Sequence, residues 1–300
     1  MSGGITVLRA GPLATIQDAG RFGMLRYGIA ASGPMVRGAF AAAGALLGGR
    51  AGAAIEFTRT GLDFRAEGEV EAAFSGGAFS LSVNGEARDW NSALQLAAGD
   101  LVRVAPGAWG NYGYVRFGRE IAVPLLLGSR ATNSTVGLGG FGGRALVAGD
   151  RVPFGDAAEQ GGAEGGGSAA PSDAPVRVVW GLHADLFPGA MRQLFVDKPF
   201  EISTRLDRMG VRLVDPTGGF ARQPALTLVS DAIVPGDIQI LGDGTPIVLM
   251  RDHQPTGGYP RIGTIASVDL DRFAQLRPGE PVMFDTITLK RARALLRETV

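Results

Sequence analysis

A short polar segment rich in glycine lies close to the N-terminus. It holds an amide at Gln17, a carboxylate at Asp18 and a guanidinium at Arg21, with Gly20 between the last two. Glycine lets the backbone approach a small ligand closely, and the three side chains can address carbonyl and carboxylate oxygens of that ligand. A surface turn that carries an Asp–Arg pair also explains these residues, so both interpretations stay open.

A second polar segment follows the apolar run Ile247 to Met250. It places Asp252, His253, Gln254 and Tyr259 on a loop that two prolines restrict. Loops at the ends of strands are where binding and catalytic side chains concentrate. Asp252 and His253 could form a general-base couple, although sequence neighbours in a strand point to opposite faces.

A third, smaller cluster carries Arg130 within the stretch Gly-Ser-Arg-Ala-Thr-Asn at 128–133. It supplies one more guanidinium that could hold an anion. The sequence therefore predicts a site made from three separate segments.

Several kinds of chemistry are excluded by what the chain lacks. It has no cysteine and two histidines, which excludes disulfides, thiolate nucleophiles and iron–sulfur clusters and leaves too few imidazoles for a three-histidine metal site. We expect no metal. The GxGxxG match at 137–142 is followed by strand and turn residues where a dinucleotide site needs a helix, and no phosphate loop is present.

Charge and hydropathy limit the partners. The 29 basic and 29 acidic residues balance, so the sequence gives no electrostatic reason to expect nucleic acid or an anionic membrane. The N-terminus lacks the basic and apolar regions of a signal peptide, and no apolar run reaches about 18 residues. We expect a cytoplasmic protein.

Short strands separated by glycine turns must position the polar segments. Of the 300 residues 47 are glycine, and ten or more β-branched or alternating runs lie between the turns, which is typical of β-barrels and sandwiches. Helices are predicted at 34–47, where Ser32 can cap the helix, at 183–194, which Pro188 could equally divide into two fragments, and at 289–298.

One segment divides the chain. Residues 156–175 are almost all small, polar or turn-forming, and such a composition cannot bury enough surface to order itself. We interpret it as a flexible linker or loop between an N-terminal β domain, 1–155, and a C-terminal β domain, 176–300.

The polar segments together resemble a known family. The stretches TIQDAGRFG, VPLLLGSRAT, RLDRMGVRL and SDAIVPGDIQILGDGTPIVLMRDHQPTGGYP are similar to those of the biotin-dependent carboxyltransferase family. That family includes the C subunit of 5-oxoprolinase, antagonists of kinase-A inhibitors and the second subunit of the allophanate hydrolase type. The resemblance implies a mainly β fold of cyclophilin-like β-barrels in two parts, with few helices.

The resemblance also implies a function. The leading expectation is ATP-dependent opening of 5-oxoproline to glutamate, together with a companion subunit of related fold and a third catalytic subunit. ATP would bind through a partner or a shared interface. One alternative is carboxyl transfer from carboxybiotin to a urea-like acceptor, with the biotin carried elsewhere because the chain has no Ala-Met-Lys-Met sequence. Another is a non-catalytic antagonist of a sensor-kinase inhibitor.

Residues that match the family motifs are assigned expected roles. Asp18 and Asp252 are the expected acid/base or substrate-amide groups. The two polar segments that carry them are expected to line one pocket. The expected substrate-binding residues are Gln17, Arg21, Ser32, Arg130, Arg208, Gln254 and Tyr259.

The chain also departs from the family pattern. Val36 stands where the resemblance leads us to expect Asp, Arg50 where relatives have Asn, and His183 closes a Gly-Leu-His stretch that reads Gly-Pro-Gln in relatives. These departures leave the particular substrate open.

Overall fold

The computed structural model describes residues 3–159, 171–221 and 228–299. They form two units, the first comprising the described residues up to Phe22 and from Ala31 to Pro171, the second those of Gly23–Ala30 and from Ser172 onward. The short segment 23–30, which the sequence places in the N-terminal domain, thus belongs to the second unit. The linker 156–175 stays a prediction, since its residues 160–170 lie outside the described part of the chain.

Twelve strands and one helix make up the described part of the first unit. The helix is α1 (Arg37–Leu46). The strands are β1 (Gly4–Ala10), β2 (Thr15–Gln17), β3 (Ala54–Thr58), β4 (Leu62–Ala66), β5 (Val70–Gly76), β6 (Phe79–Val83), β7 (Glu86–Arg88), β8 (Ala93–Leu96), β9 (Leu101–Pro106), β10 (Tyr112–Phe117), β11 (Arg119–Ile121) and β12 (Arg151–Ala157).

Two antiparallel sheets share the core of this unit. The seven-stranded sheet has the order β11-β12-β1-β4-β9-β6-β7, and the five-stranded sheet has the order β2-β3-β10-β5-β8. Inward side chains of both sheets form one apolar cluster, in which Phe64 meets Phe117 and Phe57 meets Phe79 edge to face. Such pairs bury large apolar area with favourable ring geometry.

Helix α1 begins three residues later than the predicted helix. Met35 N–H donates to Glu56 Oε2 at 2.8 Å and Val36 N–H to the Tyr114 hydroxyl at 2.9 Å, and Val36 is extended instead of entering the first turn. Ser32 does not cap the helix, because it adopts a left-handed conformation with φ 56°. The helix ends before Gly48, whose φ is 74°, as its sequence predicts.

Ten strands and three helices make up the described part of the second unit. The helices are α2 (Gly189–Asp197), α3 (Ser267–Ala274) and α4 (Leu289–Thr299). The strands are β13 (Val176–Trp180), β14 (Phe200–Leu206), β15 (Gly210–Val214), β16 (Asp231–Ala232), β17 (Asp237–Ile240), β18 (Pro246–Leu249), β19 (Thr256–Gly257), β20 (Arg261–Ile265), β21 (Pro281–Val282) and β22 (Phe284–Thr286).

Eight of these strands form one sheet, in the order β21-β14-β15-β18-β17-β20-β13-β22. Neighbouring strands run antiparallel except β13 and β22. Phe195 of α2 stacks on Phe284 with ring centroids 4.8 Å apart, and Phe200 packs beside both. The prediction of a mainly β, barrel-like fold with few helices is confirmed.

The helix predicted as one piece or two fragments is two fragments, and one helix is added. The predicted helix 183–194 is a short 3-10 turn, Ala184–Leu186, followed by α2, because Pro188 interrupts it. Helix α3 is an addition to the predicted set. Within the described residues, no helix is both long and apolar enough to span a membrane.

Candidate functional sites

Asp18 holds the loop that carries Ser129 and Arg130. Its Oδ1 accepts hydrogen bonds from the Ser129 hydroxyl at 2.6 Å and from Gly20 N–H at 2.9 Å, and its Oδ2 accepts Arg130 N–H at 2.6 Å. Hydrogen bonds to a carboxylate are stronger than neutral ones. The first and third polar segments of the sequence are therefore joined in the first unit through this carboxylate.

Arg21 supports the same loop through its guanidinium. Its side chain is buried, and Nε donates to Leu126 O at 2.9 Å while Nη2 donates to Ala131 O at 2.9 Å. A guanidinium that binds backbone carbonyls fixes the path of the loop. Arg21 is only 1% exposed, so its guanidinium is not on the surface as the surface-turn interpretation expects, whereas Phe22 beside it is exposed.

Gln17 and Ser32 are also buried. Gln17 Nε2 donates to Thr15 Oγ1 at 2.9 Å and to Thr132 O at 3.0 Å. Within the described part of the chain, Gln17 Oε1 and Ser32 Oγ have no hydrogen-bond partner. Buried polar atoms of this kind are rare and call for an explanation such as a water or a ligand. The substrate-binding role of both residues stays a prediction.

A polar row crosses the five-stranded sheet on the face that α1 covers. Thr15, Glu56, Tyr114 and Ser75 occupy matched positions on β2, β3, β10 and β5. The Tyr114 hydroxyl donates to Glu56 Oε2 at 2.6 Å, and both side chains are buried. The carboxylate and the phenol together hold the residues that lead into α1, so this row positions the segment that contains Ser32.

A cavity of about 650 Å³ is lined by Phe40 of α1 and by Arg116, which follows Tyr114 by two residues in β10. Charged side chains of both signs line it, and Phe40, Leu125 and small residues complete the wall. Asp18 and Arg130 thus line the same cavity, and their expected roles stay predictions. The charged lining residues are Asp18, Arg50, Arg116, Glu120 and Arg130.

In the second unit Arg208 and Asp252 form a buried ion pair. Arg208 Nε donates to Asp252 Oδ2 at 2.9 Å and Nη2 donates to Oδ1 at 3.1 Å, with the two side chains 3% and 1% exposed. Asp252 N–H also donates to Arg208 O at 2.7 Å. The pair therefore fixes the loop that follows β18 against the turn between β14 and β15.

His253 turns away from its neighbour Asp252. Its Nδ1–H donates to Gln254 O at 2.6 Å, since a carbonyl oxygen can only accept. Burial lowers the pKa of His253, and the bond to Gln254 O offsets part of that effect. The Asp252–His253 general-base couple is not formed, because Asp252 binds Arg208 instead.

Gln254 and Tyr259 line a second cavity, of about 420 Å³. Arg205, Arg212 and the buried Gln239 also line it. Amide, phenol and guanidinium groups around one concave volume can bind a small molecule that has both an amide and a carboxylate. The remaining lining residues are Thr204, Leu206, Asp207, Met209, Gly210, Leu241, Ile247 and Leu249.

Sequence reasoning did not select Glu56, Arg116 or Gln239. Each lies between two apolar residues of a strand, and a polar residue in such a position is the signal that could have identified it. Within the three described ranges, no group of three or more His, Asp or Glu side chains could hold a metal ion.

Comparison with known proteins gives relatives over most of the chain. It is 32% identical over 299 residues to the C subunit of 5-oxoprolinase from Escherichia coli, a match that covers 96% of this chain and 93% of that protein. It is 30% identical over 295 residues to the C subunit of 5-oxoprolinase from Haemophilus influenzae, covering 98% and 94%.

The fold has a counterpart among solved structures. The urea amidolyase of K. lactis superposes with a TM-score of 0.86 and 27% identity over 99% of this chain, which corresponds to 19% of that larger chain. The family model described as carboxyltransferase domain, subdomain A and B, matches residues 27–286. With a match of that extent and relatives of that similarity, the chain belongs to the carboxyltransferase domain family of the subdomain A and B type.

Proposed function

We propose that this chain is the C subunit of a 5-oxoprolinase, which opens 5-oxoproline to glutamate with ATP and with partner subunits. One observation carries the proposal: the C subunits of 5-oxoprolinase from E. coli and H. influenzae are 32% and 30% identical to this chain over 96% and 98% of it, against 29% for the urea amidolyase of Lachancea kluyveri. The higher identity favours a subunit of the first type. The partners would be a companion subunit of related fold and a third catalytic subunit.

The cavity of about 420 Å³ in the second unit is the proposed substrate site. A cyclic amide with one carboxylate needs a cation for the carboxylate and groups that can donate to and accept from the amide. Arg205 and Arg212 supply guanidinium groups, and Gln239 and Gln254 supply side-chain amides. The Tyr259 hydroxyl would orient the ring from the wall of the cavity.

Asp18 and Asp252 keep their proposed acid/base or amide-binding roles. Their hydrogen bonds to Ser129, Arg130 and Arg208 also support positioning roles for these carboxylates. That the two polar segments carrying them line one pocket stays a prediction. ATP is assigned to a partner subunit or a shared interface, because the sequence has no phosphate loop. The cytoplasmic location also stays a prediction.

Reconstitution tests this proposal. The chain is purified alone and with the partner subunits, and glutamate formation from 5-oxoproline is measured with and without ATP. Turnover that needs all subunits and ATP supports the proposal, and full activity of the chain alone contradicts the partnership. No turnover by a correctly assembled complex contradicts the assigned substrate.

Variants then test the cavity. Arg212→Gln and Gln254→Ala remove a carboxylate partner and an amide partner, and each should raise KM for 5-oxoproline by about 10-fold or more. Arg192→Gln, on the exposed side of α2, is the matched control and should leave KM unchanged. Unchanged KM in both cavity variants would place the substrate elsewhere.

Carboxyl transfer from carboxybiotin to a urea-like acceptor is the second candidate. The observation that favours it is the TM-score of 0.86 to the K. lactis urea amidolyase, together with the carboxyltransferase family model. A separate protein would have to carry the biotin. A gene neighbour that encodes a biotin carboxylase would favour this function, whereas one that encodes a lactam-cleaving subunit would favour the first. A gene neighbourhood with neither would favour the sensor-kinase antagonist.

A further inference from the structure

The cavity of about 650 Å³ in the first unit has a separate lining from the proposed substrate site. Three guanidinium groups, from Arg50, Arg116 and Arg130, and two carboxylates, from Asp18 and Glu120, line it. The formal charge of this lining is therefore positive. The two carboxylates would neutralise part of this charge if they formed ion pairs with the guanidinium groups.

Both carboxylates accept hydrogen bonds from backbone N–H groups. Asp18 accepts them from Gly20 N–H and Arg130 N–H. Glu120 Oε1 accepts Ala53 N–H at 3.2 Å and Ile121 N–H at 3.1 Å, and the same oxygen lies 3.7 Å from Arg130 Nε. Backbone N–H groups thus stabilise the negative charges, and Arg130 alone of the three arginines lies within ion-pair distance of a carboxylate in the described residues.

Arg50 and Arg116 are held by carbonyl oxygens. Arg116 Nη2 donates to Arg50 O and to Gly52 O, both at 2.9 Å, and its guanidinium lies 4.5 Å from the centre of the Phe40 ring. Arg50 Nη1 donates to Gly118 O at 2.8 Å. These bonds leave further N–H donors on each planar guanidinium, because arginine carries five.

Burial lowers the pKa of Arg116 to about 10, and the nearby Glu120 opposes that effect. Arg116 therefore remains charged at neutral pH. A buried cation next to a cavity is costly unless an anion or strong dipoles compensate it.

Glycines make the room that these groups occupy. A Cβ at Gly52 would lie 2.7 Å from Glu120 Oε2, and a Cβ at Gly118 would lie 3.1 Å from Arg50 Nη1. A Cβ at Gly44, within α1, would meet Arg116 Nη1. Any side chain at these three positions would displace a charged group of the lining. Glycine at these positions therefore lets the charged side chains approach the backbone closely.

We propose that this cavity is a binding site for a small oxyanion, a phosphate or a carboxylate, held by Arg50, Arg116 and Arg130. Guanidinium groups bind both kinds of oxyanion through paired N–H donors. Phe40 and Leu125 offer apolar contact to an organic body attached to the anion. The inference does not depend on the proposed activity, since the cavity lies within the first unit and shares no lining residue with the site for the cyclic amide.

Calorimetric titration of the purified chain tests the site. The probes are sodium phosphate and sodium acetate, with sodium chloride at matched ionic strength as the control. Saturable binding of one or both probes, absent with chloride, is the expected result, and the stronger probe identifies the source of the oxyanion. No saturable binding of either probe overturns the proposal.

Variants assign the binding to the cavity. Arg50→Gln and Arg130→Gln should each weaken binding of the preferred probe by about 10-fold or more, since each removes one guanidinium. Arg103→Gln, an exposed residue of β9, is the matched control and should bind as the unmodified chain does. Unchanged affinity in both cavity variants overturns the assignment.

A measurement on the unmodified chain covers the case in which a variant does not fold. Phenylglyoxal modifies accessible arginines, and peptide mass mapping follows each site. The preferred probe should slow modification of Arg50 and Arg130 but not of Arg103. Equal rates with and without the probe contradict the site.

Discussion

The guanidinium of Arg208 binds both carboxylate oxygens of Asp252, at 2.9 and 3.1 Å, with almost no exposure of either side chain. Taking two charges out of water is costly, and the mutual attraction compensates only when both partners are present. Asp252 was expected from the sequence to act as an acid or base. In the structure, Asp252 forms a buried ion pair with Arg208.

Asp252→Asn should destabilise the chain by about 3–5 kcal/mol, because Arg208 loses the negative charge it binds while staying buried. Urea unfolding followed by circular dichroism measures the free energy of unfolding. Asp285→Asn, at an exposed position of β22, is the matched control and should change it by less than about 0.5 kcal/mol. Equal stability of the two variants would contradict the importance of the pair.

The same substitution tests the proposed catalytic role in the reconstituted complex. If Asp252 is the acid/base group, Asp252→Asn should lower turnover of 5-oxoproline by about 100-fold or more and remove one limb of the pH profile. If Asp252 positions the loop, a smaller loss with an unaltered pH profile is expected. Unchanged turnover would exclude both roles.

Gly44→Ala should destabilise the first unit, although alanine normally stabilises a helix by about 0.5–1 kcal/mol relative to glycine. The added Cβ would meet the Arg116 guanidinium and approach Arg50 O at 3.2 Å. Gly189→Ala is the control, because nothing lies within 4 Å of a Cβ built at that position of α2. Thermal unfolding compares them, and a stabilising Gly44→Ala would show that Arg116 moves without cost.

Tyr114→Phe should cost about 1–3 kcal/mol, because Glu56 loses a buried donor and Val36 N–H loses its acceptor. Hydrogen exchange should also become faster at Val36 N–H. Tyr27→Phe removes the hydroxyl of an exposed tyrosine and should have no such effect. Unchanged exchange at Val36 would mean that the start of α1 does not depend on the polar row.

Asp269 should make stability depend on acid pH. Burial alone would raise the pKa of Asp269, but hydrogen bonds from Arg177 outweigh burial and place it below its usual value. A lowered folded-state pKa adds stability above the unfolded-state pKa of about 4, and that stability is lost as the pH falls through the folded-state value.

Urea unfolding at several pH values measures this effect. At pH 7 the free energy of unfolding of Asp269→Asn should be well below that of the unmodified chain. In acid the difference between the two values should disappear. Asp173→Asn, an exposed residue outside any helix or strand, should follow the unmodified chain at every pH. A constant difference between Asp269→Asn and the unmodified chain would contradict this linkage.

Local signals in the sequence were sufficient for much of the fold. Glycine turns between short β-branched runs predicted a mainly β architecture, and Gly48 predicted the end of α1. The eight-residue helix α3 escaped prediction because so short a segment barely exceeds one amphipathic repeat and draws its stability from tertiary packing.

For the candidate sites, the sequence by itself determined which polar residues stand out, among them Asp18, Arg130, Gln254 and Tyr259. Only the tertiary structure decided their partners. Asp18 and Ser129 are far apart along the chain, yet they meet at 2.6 Å. Such pairings depend on strand register and on how loops fold over a sheet, which are properties of the packed whole and leave no local pattern in the sequence.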